Sequence, residues 1–169
     1  MKSDVEGAKR AIKDAVHQLC PDDLLVCGRL AKENGLTELA TSLFLIIFGR
    51  RPLFARNLAE LCGSIILHPA VVDPTERMQI IEACRMVAAS SEPYQPLLFQ
   101  FARVLGSDGD IEGAAKLGAR AIALAPLDLN CQAHQIHWLR ALHRNEEAEG
   151  LSRRYEESRT SAYVQANRP

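Results

Sequence analysis

The chain has 169 residues, 47% of them hydrophobic and 5% aromatic, enough apolar material for one domain with a continuous core and no support from metal or disulfides. Lys and Arg number 20 against 21 Asp and Glu, a net charge of −1, so no whole-chain field draws it to a phosphate backbone or an anionic membrane. The five cysteines, Cys20, Cys27, Cys62, Cys84 and Cys131, are odd in number and several fall on apolar helix sides, which fits reduced thiols in a cytosol.

Apolar residues recur at three- and four-residue spacing rather than alternately, the pattern of an all-helical chain. From Asp4 to Leu19 the stripe Val5, Ala8, Ile12, Ala15, Val16 and Leu19 predicts an amphipathic helix, so that 1–20 caps the fold. Pro21 and Asp22 open the next helix, through Leu24, Cys27, Gly28 and Ala31, and Asn34-Gly35 ends it with a glycine suited to positive φ. Thr37 is expected to cap a second helix through Ala40, Leu43, Phe44 and Ile47, with Arg50 and Arg51 at its carboxyl end and Pro52 as its stop. Leu43–Phe48, the longest apolar run, falls short of the ~20 residues of a membrane span. Met1–Glu6 carry no hydrophobic signal core, and a cytoplasmic protein is expected.

Further on, 95–105 forms a helix, 106–109 a turn, and 110–124 a partner helix stopped at Pro126. Ala102, Ala114 and Ala121 let that pair approach closely, while Leu98, Phe101, Leu105 and Leu117 fill the seam. The last helix is expected over about 145–161, with the apolar strip Ala148, Leu151 and Tyr155 on a charged rod.

These segments repeat. Leu24, Ala31, Gly35, Ala40 and Pro52 find Leu98, Leu105, Gly109, Ala114 and Pro126 after the same 74 residues. Intervals of 34 link Leu24 to Leu58, Cys27 to Leu61, Ala31 to Ile65 and Ala114 to Ala148, so one insertion of six, placed at His68–Pro74, reconciles the spacing. The units are then 21–54, 55–94 with the insertion, 95–128 and 129–162, followed by 163–169 as a flexible tail.

Gly in the turn, Ala early in the second helix and Pro at the end make this spacing resemble the tetratricopeptide repeat (TPR). The fourth unit departs from it, with His143 and Thr160 at the Gly and Pro positions and Gln132 and Gln135 where apolar residues are expected. The resemblance implies an all-α, right-handed TPR-like superhelix of about four antiparallel helix pairs with an N-terminal capping helix. Its concave face would be lined by the first helix of each unit. Projected on this chain, that face holds Leu25, Arg29 and Lys32, then Ala59 and Gly63, then Phe99 and Arg103, then Ala133, His137 and Arg140. An apolar floor with basic residues at intervals suits a partner segment that combines hydrophobic anchors with carboxylates. The family's clamp for a terminal carboxylate uses Lys and Asn at fixed places. This chain has Leu25, Arg29, Ala59, Gly63, Phe99 and Arg103 there, so that specificity is not implied.

Other chemistries fare worse. Residues 29–40 imitate a helix-turn-helix, but the second helix runs into Leu43–Phe48, apolar nearly all round, and belongs in a core. Cys131, His134 and His137 sweep over roughly 120° of one helix and do not easily converge on one ion; His134 and His137 with one outside ligand is the remaining metal reading, against the default of ordinary exposed histidines. Trp138 reads as a packing anchor. No nucleophile elbow, phosphate loop or metalloprotease helix occurs in the sequence. The expectation is therefore a non-enzymatic protein-interaction scaffold or adaptor with no cofactor, no metal and no nucleic-acid partner. A bacterial type III secretion chaperone, and the helical-repeat portion of a larger enzyme such as a glycosyltransferase, are the alternatives. The uncapped strip of Ala148, Leu151 and Tyr155 predicts a homodimer through the last helix.

Overall fold

A computed structural model describes residues 15–166 apart from 17, with side chains as far as 160. The expected capping helix over 4–19 thus lies for the most part outside the described residues. Among them are eight helices and no strand: α1 (Pro21–Glu33), α2 (Thr37–Arg50), α3 (Ala55–Leu67), α4 (Pro74–Ala88), α5 (Gln95–Ser107), α6 (Ile111–Leu124), α7 (Leu129–Ala141) and α8 (Asn145–Ala166). The chain divides into two compact units, Met1–Ala83 and Cys84–Pro169. No helix of the described residues is long and apolar enough to cross a membrane. α8 continues to Ala166, taking in part of the stretch read as a flexible tail.

In the first unit α1 packs on α2 and α2 on α3. Gly35 makes the first turn at φ 74°, and the Leu36 amide donates back to the Ala31 carbonyl at 2.8 Å, closing the helix with the wide bond that a left-handed residue permits. Thr37 is not the cap of α2. Leu36 holds that place without a side-chain bond, and Thr37 is already helical. Arg51 ends α2 at φ −142°, ψ 77°, pushed into an extended conformation by Pro52 behind it. Arg50 reaches back to the carbonyls of Leu19 (2.8 Å) and Val16 (3.0 Å), tying down the segment before α1. In the inserted stretch, Asp73 caps α4 by accepting from the Thr75 (2.7 Å) and Glu76 (3.0 Å) amides. Those bonds hold its carboxyl below the usual range.

The second unit repeats the first three helices 74 positions later, with equal lengths: α1 and α5 have 13 residues, α2 and α6 14, α3 and α7 13. Gly109 takes φ 89° and Asp110 donates back to Leu105 at 2.9 Å. His143 occupies the same place in the last hairpin at φ 57°, and Arg144 donates back to Leu139 at 2.9 Å. The turn is therefore kept without its glycine, at the cost an L side chain meets in the left-handed region.

Each unit fills its interior differently. In the first, the Phe44 ring lies on Gly28, and Asn57 Nδ2 donates to the Phe44 carbonyl at 2.9 Å. In the second, Gly118 stands in the place of Phe44, and Trp138, 3% exposed, reaches in from α7. A Cβ on Gly106 would meet its Nε1 at 2.7 Å, and one on Gly118 its Cζ3 at 2.7 Å. Cys131, the counterpart of Asn57, faces the carbonyl of Gly118, the counterpart of Phe44, at 3.7 Å.

Candidate interaction surfaces on the first helices

On α1 the positions Leu25, Arg29 and Lys32 share a stripe, but Leu25 is 4% exposed and its side chain lies inside the unit. Arg29 Nε and Lys32 Nζ both bind the carboxylate of Glu60 on α3, at 2.8 and 2.9 Å. Gly63 lies beside this clamp, close enough that a Cβ there would touch Lys32 Nζ at the ordinary contact distance of 3.5 Å. Ala59 beside it is buried. The structure thus brings Arg29, Lys32 and Gly63 together around a residue the sequence reading did not single out. A lone glutamate on a helix reads as solvated surface, and only the approach of α1 to α3 turns Glu60 into a counter-charge.

On α5 and α7 the arrangement is different. Phe99, 8% exposed, meets His134 edge-on with ring centroids 5.3 Å apart, and Arg103 lies over the same Phe99 ring at 5.9 Å. Arg103 also donates to Gln100 at 2.9 Å, and among the described residues it has no carboxylate partner. His134 Nδ1 lies 2.9 Å from the Asn130 carbonyl, a bond that orients the ring. Ala133, His137 and Arg140 form an exposed stripe along α7, and Arg140 reaches Ser152 at 3.4 Å. No Asp or Glu occurs within α5 or α7. His134, whose spacing from Cys131 and His137 suggests a metal ligand, belongs to this surface through its contact with Phe99.

Cys131 stands apart from both histidines. It is fully buried, and burial, with Asp128 adding to it, pushes its thiol up to about 12. A thiol so held is neither a thiolate ligand nor a nucleophile. Gln135 and Gln132, the polar residues at core positions of α7, find backbone partners: Gln135 Nε2 donates to the Ala115 carbonyl at 3.0 Å and Gln132 Nε2 to that of Pro126.

The strip expected to drive self-association is occupied within the hairpin. Ala148 and Leu151 pack with Ile136 and Leu139, flanked by Ile122 and Tyr155. A second copy would have to open that seam to reach it, because an apolar strip on α8 finds its nearest cover on α7.

Helix pairs recurring at one offset, closed by one turn, decide the comparison. The chain folds like MamA. A crystal structure of MamA matches 96% of this chain and 93% of its own length with a TM-score of 0.74 at 18% identity. A second MamA crystal structure matches at 0.71, also at 18% identity, covering 96% and 87%. MamA residues 41 to the end from Desulfovibrio magneticus RS-1 match at 0.70 and 16% identity, covering 92% and 86%. No family model matches the chain, and no curated relative does. At these identities the likeness to MamA is one of fold: all-helical, built of TPR-like repeats.

Proposed function

We propose that this protein is a non-catalytic interaction scaffold that holds a carboxylate-bearing segment of a partner protein against its first helices, chiefly α5 and α7. One observation carries this reading. Arg103, His134, His137 and Arg140 stand on two adjacent helices with no acid along either, beside the Phe99 ring. Two arginines without a carboxylate partner and two imidazoles next to an aromatic ring suit an acidic segment with an apolar anchor, since the partner's carboxylates supply charges that the protein itself withholds. The equivalent cations of α1 are already neutralised by Glu60, so α1 and α3 play the lesser part. The fold's likeness to MamA accords with a binding role and names no partner.

The test is affinity capture from native lysate followed by titration of the captured protein's acidic segment. Arg103→Glu with Arg140→Glu should weaken binding at least tenfold, taking each reversal as about 0.7 kcal/mol. Arg29→Glu should leave it nearly unchanged. Equal capture by the double variant and the native protein would remove α5 and α7 as the site.

A further inference from the structure

The surface of α5 and α7 carries basic groups of two kinds. Arginine stays charged at every pH a cell meets, whereas an imidazole changes its charge between about pH 5 and 8. Arg103 and Arg140 give this surface a fixed charge, and His134 and His137 give it one that depends on the surroundings.

The hydrogen bonding of His134 fixes what a proton changes there. A carbonyl only accepts, so the 2.9 Å contact with Asn130 places the ring's hydrogen on Nδ1. In the neutral ring Nε2 then holds a lone pair, which offers a carboxylate no bond. Protonation adds a positive charge and an N–H at Nε2, turning an acceptor into a donor. His137 is exposed, one turn from His134 on one side and from Arg140 on the other, and gains the same charge.

Few acids stand where they could answer that charge. From α5 the ion at hand is Arg103, over the Phe99 ring that His134 also touches. At the start of α7, Asp128 is taken by the Cys131 amide at 3.0 Å and by Gln95 at 3.1 Å. On α6 stand Lys116, Arg120 and Glu112. Glu147 of α8 and, more weakly, Glu112 act on Arg144. Arg140 meets α8 at Ser152, and of the acids one turn from it Glu156 is paired with Arg159 at 2.8 Å while Glu149 is exposed. Protonated imidazoles beside Arg103 and Arg140 thus add like charges to two helices without an acid, and carboxylates brought by a partner relieve that repulsion.

We propose that capture of the acidic segment takes up protons at His134 and His137, so that the scaffold holds its partner more tightly as pH falls. This rests on the reading of α5 and α7 as the binding surface. The sign follows from linkage: a segment that prefers the protonated rings binds more tightly as proton concentration rises, until both rings are charged.

The probe is a rhodamine-labelled peptide of Glu and Leu, whose carboxylates stay ionised throughout, titrated by fluorescence anisotropy at about pH 6 and about pH 8 at one ionic strength. Affinity about three- to tenfold higher at the lower pH is expected, the scale of two exposed ion pairs. His134→Gln with His137→Gln should bind equally at both. A pH dependence that survives in this double variant overturns the inference. So does native binding that is equal at both pH values; if that binding is lost in Arg103→Glu with Arg140→Glu, the surface stands without proton linkage. Where the peptide binds at neither pH, the surface itself falls and the inference with it. Should the histidine variant lose its helical circular dichroism, calorimetry on the native chain decides, in PIPES and in Tris at one pH, buffers of different ionisation enthalpy. Net proton uptake on binding supports the inference, and none overturns it.

Discussion

Helices α1 to α3 and helices α5 to α7 are the same three-helix pattern written twice, and the places where they differ show what the pattern leaves open. The first copy puts its bulk on α2, as Phe44 over Gly28, and sets the small Ser64 on α3. The second empties α6 to Gly118 and puts Trp138 at the position of Ser64. One seam is filled in both, from opposite helices, because close packing constrains the total volume and not its donor. The same holds for charge: the first copy closes its cations with Glu60, the second leaves them open. Backbone geometry is shared and surface chemistry is not.

The largest effect should come from breaking the filled seam. Trp138→Ala removes the side chain that occupies the space over Gly106 and Gly118 and should cost about 3–5 kcal/mol in urea unfolding. Phe44→Ala in the first copy should cost a similar amount. The comparison sharpens if the packing is transplanted. Trp138→Ser with Gly118→Phe should recover more than half of the loss only when Ala102→Gly is added, since Ala102 stands where Gly28 accepts the Phe44 ring. Recovery without that third change would mean that the two seams are not equivalent.

Next in size is Glu60→Gln. It should lower stability by no more than about 1 kcal/mol, the scale of a partly exposed pair, yet open Arg29 and Lys32 so that an acidic peptide binds α1 and α3 several-fold more tightly by fluorescence anisotropy. Unchanged binding would show that the charge difference between the copies has no functional weight.

Smaller still is His143→Gly. A left-handed L residue costs about 1–2 kcal/mol and glycine's greater chain entropy returns part of that, so thermal unfolding should show a net gain of about 0.5 kcal/mol. Gly109→Ala should show a loss. A further effect, confined to alkaline pH, is expected at Cys131. Its thiol is pushed up to about 12 in the folded chain, so the protonated form favours folding. Its contribution is complete below about pH 9 and is lost as pH rises toward 12. Cys131→Ala should flatten that part of the stability profile, whereas the counterpart Asn57 has nothing to titrate. A profile unaltered by the substitution would separate burial of this thiol from stability.

Turn positions were legible early because they depend on single residues. Gly35 and Gly109 announce positive φ, and Pro52 and Pro126 announce the extended residue before them. His143 was legible only as a missing glycine, since the backbone bond that keeps the turn does not depend on the side chain. Sequence alone puts the cap of α2 at Thr37, one residue late, because a hydroxyl at a helix start reads as a cap wherever it stands within a residue of the true position. Leu25 projects onto the expected surface by spacing alone, yet lies inside the unit, because the projection carries no knowledge of which neighbour covers it.

What the amino-acid order determined by itself was local and periodic: helices where apolar residues recur every three or four positions, turns where Gly and Pro sit, and an offset of 74 residues that makes one half echo the other. Each of these is a property of one segment's backbone and of its burial against an unspecified neighbour. Which side chains meet was decided only by tertiary structure. Glu60 between two cations, His134 on Phe99 and Trp138 over two glycines are contacts between segments distant in the chain. Their geometry depends on how helices approach one another, and the hydrophobic pattern drives that approach without saying which polar groups it brings together.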